Sequence, residues 1–250
     1  MKYRIEKDSL GEMQVPEDAY YGAQTQRAVE NFKISNLKFS EQFIQSLAII
    51  KRNAAKVNFK LGLINKDVSD LIVSVTNEIS NGNYSDEFVI DIFQTGSGTS
   101  TNMNMNEVIA NIAAEKSGGQ RGDKSIIHPN DHVNLGQSSN DVIPTAMHLA
   151  LIQSIQSKLI PSLNMMADEL NSKSNEFKDV IKTGRTHLQD ATPITLGQEF
   201  HGYYGQITKG IEKLIDSNKW LSEVALGGTA VGTGINTHEE FAKLVCEEIS

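Results

Sequence analysis

The chain predicts a mainly α protein, with a short extended arm leading into an N-terminal helical domain over residues 1–137 and, over 138–250, the first long helices of a central helical bundle. Three observations carry that expectation. Apolar residues recur at three- and four-residue spacing through most of the chain, the signature of helices with one buried face. Only the first 35 residues alternate, and weakly, at Tyr3 and Ile5. One helical run is too long to be covered inside a small domain.

Taken in order, the arm carries Pro16 and Gly22 and predicts at most a short strand pair. Phe43, Leu47, Ile50, Ala54, Val57 and Leu61 then mark an amphipathic helix. Val68, Ile72, Val75 and Ile79 mark another, closed by Asn81-Gly-Asn. A third is expected from about Asn106 to Lys116, before Gly118-Gly119. The longest starts near Asp141 and runs through Met147, Leu151, Ile155, Leu159, Leu163, Met166 and Leu170, with a kink expected at Pro161. At 1.5 Å per residue it spans on the order of 45 Å. A further helix follows from Ile194 to about Leu221, although Gly202, Gly205 and Gly210 weaken it unless neighbours pack closely there. After the Gly227–Gly234 bend, Thr237 with Glu240 predicts a capping box opening a helix that reaches Ser250.

Composition narrows the function classes. An apolar content of 39% over 250 residues is ample for a buried core. No apolar run approaches a membrane span, and the charged start is unlike a signal peptide, so neither a membrane nor export is expected and the cytoplasm is. A single cysteine, Cys246, excludes an internal disulfide framework and fits a reducing compartment. The net charge of −8, with no dense Lys/Arg stripe, argues against a nucleic-acid partner. It also means that any anionic ligand needs local positive potential from helix N-termini, backbone N–H groups and a few placed cations.

Three polar clusters stand out against this helical background. Residues 183–193, Thr-Gly-Arg-Thr-His-Leu-Gln-Asp-Ala-Thr-Pro, surround His187 with hydroxyl, guanidinium, amide and carboxylate groups and predict an ordered loop feeding the next helix. In that company His187 reads as a proton-transfer group. The stretch Gly96-Ser-Gly-Thr-Ser-Thr-Asn-Met-Asn104 offers small donors to a carboxylate or phosphate, and it lacks the Gly-Lys-Ser/Thr ending of a nucleotide loop. It also reads as a helix cap with a flexible lead-in. His128 and His132 are four residues apart, yet Pro129 and Asn130 stand where a zinc motif would carry glutamate, so no metal is expected. Pro129 suits a first helical position, and Ser138-Ser-Asn-Asp141 a second helix N-terminus.

Together, Ser97-Gly-Thr with Thr101-Asn-Met-Asn104, His128-Pro-Asn-Asp-His-Val-Asn134, Gly136-Gln-Ser-Ser-Asn-Asp141 and Gly184-Arg-Thr-His-Leu-Gln-Asp190 resemble the class II fumarases of the fumarase/aspartase superfamily. Gly22-Ala-Gln-Thr-Gln-Arg27, Glu30-Asn-Phe32 and the 227–236 stretch match the same family, so the resemblance covers the chain in order, as that family's N-terminal half. The related aspartate ammonia-lyases typically carry Gln-Leu-Gln-Asp where this chain has His187-Leu-Gln-Asp190. A glutamine cannot deliver and recover a proton.

The resemblance implies reversible addition of water to fumarate, giving (S)-malate, with no metal or organic cofactor, in a homotetramer whose sites each draw on three chains. Carried over by position, His187 would be catalytic. Ser97, Thr99, Ser138, Ser139, Asn140 and Thr186 would bind the substrate, and His128, Asn130 and Asp131 would form an accessory dicarboxylate site. A third family signature, a mobile Gly-Ser-Ser loop with a lysine and an asparagine, is expected beyond residue 250, so this chain is expected to be incomplete for activity. The alternatives are an aspartate ammonia-lyase and a non-catalytic helical scaffold.

Overall fold

A computed structural model describes residues 2–250, and it is mainly α-helical. The arm is a hairpin, β1 (Tyr3–Asp8) paired antiparallel with β2 (Gly11–Pro16), and it leads into a short helix, α1 (Ala23–Asn31). No periodic signal marks α1, because it buries only Ala23, Thr25 and Ala28. Its first turn is held by a distant carboxylate. Glu107 accepts from the backbone N–H groups of Gly22, Gln24 and Thr25 and from the Thr25 hydroxyl, all at 2.7–3.0 Å. Gly22 is required at this approach, since a Cβ there would stand 2.7 Å from Glu6 Oε2 and 2.9 Å from Glu107.

The predicted amphipathic pair is α2 (Glu41–Lys60) and α3 (Lys66–Ser80), which pack on each other. Ser40 and Asn65 cap them through their side chains. Against both lies α4 (Thr99–Lys116), which starts seven residues earlier than expected. The reason is burial on every face. Asn102, Asn104, Asn106 and Asn111 are interior along with Met105, Ile109 and Ala113, so no apolar stripe marks the helix.

The long helix is present in two α-helical segments, α5 (Ser139–Ser154) and α6 (Ile160–Glu176), joined without a break by a π-helical turn over Ile155–Leu159. At about 1.5 Å per residue the whole runs on the order of 55 Å. The irregularity expected at Pro161 takes this form: a proline ring clashes with the carbonyl four residues back, and here the ladder widens one turn ahead of it, with the Ile160 N–H bonding Ile155 O.

Residues 183–193 are not a loop. They belong to a second hairpin, β3 (Ile181–Thr186) and β4 (Gln189–Thr195), with an irregularity in register between Thr183 and Arg185. Thr195 then opens α7 (Leu196–Leu221) with a capping box completed by Gln198. The capping box expected at Thr237 does not form. The last helix, α8 (Phe241–Ile249), begins one turn later, and it is the His238 imidazole that accepts the Glu240 N–H.

The chain divides into two compact units, residues 1–150 with 224–250 and residues 151–223. The sequence boundary at 137/138 falls in the loop ahead of α5, inside the first unit. That unit holds the core: Leu47, Ile50, Val57, Ile72, Val75, Met105, Ile109, Ile127, Val142, Phe241 and Val245 are all buried together. The second unit is α6 and α7 packed side by side with the β3–β4 hairpin at one end, and its buried side chains are few. No helix among the described residues is long and apolar enough to cross a membrane.

Candidate active site

The first unit brings two of the three polar clusters together at the starts of α4 and α5. Gly98 precedes α4 with φ 69°, and a Cβ on it would lie 3.0 Å from the Ile143 side chain, one turn into α5. On either side of it, the Ser97 and Thr99 hydroxyls are exposed and 2.8 Å apart. Farther along the same turn, Asn102 Nδ2 donates to Ser139 Oγ at 3.0 Å, tying the α4 start to the α5 start. Two helix N-termini thus sit beside a set of exposed or half-buried neutral donors, Ser97, Thr99, Ser138, Ser139 and Asn140, with the Thr101 N–H already donating to Gln94 Oε1 and the Asn140 N–H to Ser138 Oγ.

The loop over Gly227–Gly234 closes against the same place. Buried Asp141 accepts from the Ser138 N–H with one oxygen at 2.9 Å, and from the N–H groups of Gly227 and Thr229 with the other at 3.0 and 2.8 Å. Asn140 Nδ2 donates to Ala230 O at 2.7 Å. Asp141 is therefore less a cap than a clamp between two loops.

His128 is also in the first unit, and its imidazole is used locally. Nδ1 accepts from the Asn130 and Asp131 N–H groups at 3.2 and 3.1 Å, capping a π turn over Pro129–Val133 in which Pro129 takes the first position, as expected. Asp131 Oδ2 lies 3.2 Å from the same nitrogen. His132 Nδ1 accepts the His128 N–H, and burial, together with the neighbouring His128 and against Asp131, holds His132 below the usual histidine range. The Asn130 and Asp131 side chains are exposed. No trio of His, Cys, Asp or Glu among the described residues has the geometry to hold a metal.

Thr186 and His187 lie in the second unit. Thr186 ends β3, opposite Gln189, and His187 with Leu188 forms the tip of the hairpin, both at positive φ and both exposed. Beside the tip, Arg185 Nε donates to Asp190 Oδ1 at 3.1 Å, and Lys182 pairs with Glu199 of α7. Glu199 is held below the usual carboxylate range by its bonds from Lys182 and Tyr203. The imidazole is presented to solvent on a two-stranded support.

Lys51, absent from every motif, and Asn134 and Gln137, present in the motifs without an assigned role, join Asn102 behind this surface. The signal was present: Lys51 and Asn58 fall on the stripe set by Leu47 and Ala54, where polar residues are out of place.

The sequence profile of a lyase family matches residues 11–250. The chain belongs to that lyase family. Within it, the chain is 56% identical over 248 residues to the class II fumarate hydratase of Halobacterium salinarum, covering 99% of this chain and 53% of that one. Against the class II fumarate hydratase of Nitrosomonas europaea the identity is 53% over 249 residues, covering 100% and 54%. The fold also matches a solved structure. The crystal structure of class II fumarase from Schistosoma mansoni superposes with a TM-score of 0.95 at 45% identity, over 99% of this chain and 52% of that one. The chain thus spans about half the length of the curated relatives it matches.

Proposed function

We propose that this chain supplies part of a fumarate hydratase, which adds water reversibly to fumarate to give (S)-malate. The observation that carries the reading is the similarity to class II fumarate hydratases along essentially the whole of this chain. His187 argues for water over ammonia as the added group, because an imidazole, here exposed at a hairpin tip, can carry a proton to a departing hydroxyl where a glutamine cannot.

In the dehydrating direction a base takes the proton from the carbon beside one carboxylate, the electron pair spreads into that carboxylate, and the hydroxyl departs from the neighbouring carbon as water once protonated. His187 delivers that proton, through a bound water. Ser97, Thr99, Ser138, Ser139, Asn140 and Thr186 bind the two carboxylates, and the N–H groups at the starts of α4 and α5 stabilise the growing charge. Such neutral donors suit a dianion in a chain of net charge −8. His128, Asn130 and Asp131 form an accessory dicarboxylate site. The reaction as written uses no metal or organic cofactor.

The working protein is a cytoplasmic homotetramer, in which residues 138–250 contribute to a central bundle and each site draws on several chains. The weak internal packing of residues 151–223 supports this, as do Gly202, Gly205 and Gly210 on α7, where an added Cβ would meet nothing of this chain within 4 Å. Purified protein from the whole reading frame, assayed on fumarate with and without ammonium, tests the activity. Malate formation in water is expected; dominant aspartate formation would make the protein an ammonia-lyase instead.

A further inference from the structure

Lys51, in the middle of α2, is fully buried. A lysine seldom takes such a position without a carboxylate partner. Here the side chain donates instead to two neutral amide oxygens, Asn134 Oδ1 at 2.8 Å and Gln137 Oε1 at 3.0 Å. Asn134 Oδ1 also accepts from Asn102 Nδ2 at 3.2 Å, and that same nitrogen reaches Ser139 Oγ at 3.0 Å. The other ends of the amides bond back to the loop: Asn134 Nδ2 to Gln137 O, and Gln137 Nε2 to Val133 O and Leu135 O. One amine therefore links α2, α4, the 134–138 loop and the first residue of α5. Apolar side chains in place of the lysine and its amide partners would fill the space without the cost of desolvating an amine, so stability alone does not account for a lysine there.

The surroundings are built for further polar contact. Asn58 Oδ1, Asn102 Oδ1 and Thr229 Oγ1 are buried and unpartnered, although buried polar atoms as a rule find partners. All three residues touch this assembly, Asn58 through Leu135 O, Asn102 through Ser139, and Thr229 through Asp141.

We propose that Lys51 is a positioning residue of the candidate site: from the interior side it fixes the Asn134 and Gln137 amides, through them the Asn102 amide and the Ser139 hydroxyl, and its charge biases the 134–140 surface toward an anion. The proposal rests on the reading of that surface as dicarboxylate-binding.

Burial lowers the Lys51 amine to about 7, with Asp141 of α5, the charged group whose field acts on it, pulling the other way. Asp141 is committed to the N–H groups of Ser138, Gly227 and Thr229. An amine poised in this way gains proton affinity when a dianion settles beside Ser138–Asn140, so binding near neutral pH draws in part of a proton.

Calorimetric titration with malate at pH 7, in buffers of different ionisation enthalpy, reads both affinity and proton uptake. The samples are the protein from the whole reading frame, Lys51→Met and Asn134→Asp, with thermal unfolding as a check on the fold. Lys51→Met is expected to weaken malate binding by about tenfold or more and to take up fewer protons than wild type. Asn134→Asp places a carboxylate on the amine, keeps it charged before malate arrives, and is expected to lose the same uptake while folded. Wild-type proton uptake in Lys51→Met, with or without weaker binding, marks a merely structural lysine and overturns the proposal; if that variant does not fold, undiminished uptake in Asn134→Asp does so. Should wild type itself fail to bind malate, the reading of the site fails first, visibly in wild type, and the proposal falls with it.

Discussion

At the tip of the β3–β4 hairpin, His187 and Leu188 hold φ values of 52° and 61°, a region that side chains with a Cβ avoid. Positive φ at both central residues gives the two-residue turn whose twist matches the flanking strands, and Asn-Gly is its usual sequence. His-Leu is not, which is why the stretch reads as a loop until its backbone is seen. The left-handed conformation costs about 1–2 kcal/mol per residue. Since the Leu188 side chain is 93% exposed, Leu188→Gly should relieve part of that strain with little packing lost, raising unfolding free energy by about 1 kcal/mol in urea titration. A loss of stability would mean that Leu188 is buried against something in solution. His187→Gln keeps a polar side chain at the same exposed place and is expected to leave the melting temperature alone. If His187 is the general acid, turnover of fumarate should fall by about 10²- to 10⁴-fold. Steady-state kinetics decide it, and undiminished turnover would remove His187 from that role. The residues proposed to touch substrate were picked out because they cluster in sequence; Lys51 stands out only as a polar residue on an apolar stripe, and its partners, 83 and 86 positions away, are not legible locally.

The elements recovered from periodicity are those with an apolar stripe, a buried one on α2 and α3 and one left largely open on α7, and the missed ones fail that test for opposite reasons. Helix α4 is interior all round and so shows no stripe, whereas α1 buries too little to show one. What fixes α1 is Glu107, 82 or more positions away, and no local pattern announces it. Burial pushes this carboxyl above the usual range against the bonds it accepts from Thr25 and Gln24. Glu107→Ala strands the N–H groups of Gly22, Gln24 and Thr25, and at about 1–3 kcal/mol for each buried donor left unpaired the loss should reach at least about 3 kcal/mol in urea unfolding. A loss under about 1 kcal/mol would show that water replaces the carboxylate. Helix α2 makes a prediction in pH. The unfolded lysine keeps its proton up to 10.5 while the folded one releases it near 7, so between those values the unfolded chain binds more protons and Lys51 makes stability rise with pH. Stability measured at several pH values through that window should climb more steeply for wild type than for Lys51→Met; equal slopes would place the amine at its ordinary value.

For the whole molecule the decisive contrast lies between the two units. Residues 1–150 with 224–250 own a continuous core, while in residues 151–223 the buried apolar side chains are Ala167 and Ile211. Leu151, Met165, Met166, Tyr203, Ile215 and Trp220 are left exposed there. Contiguous apolar surface beyond a few hundred Å² marks an interface in most soluble proteins. The sequence foretold an uncovered helix from its length, and those exposed side chains agree with it. Light scattering on protein from the whole reading frame should therefore give a tetramer mass. A monomer that unfolds cooperatively would show the stripe to be covered from within.

The π-helical turn at Ile155–Leu159 sets the phase of everything after it on the same helix. It accommodates one residue more than an α turn, and each residue advances a helix by about 100°. Deleting a single residue there would restore a regular ladder, improve its hydrogen bonds, and swing the row of Leu163, Met166 and Leu170 by more than a quarter of a revolution relative to Leu151. The local gain would misaim the face on which the proposed assembly depends. Length in this segment is thus under tighter constraint than chemical identity: replacements at Gln156 or Lys158 should be absorbed, whereas a one-residue indel should not.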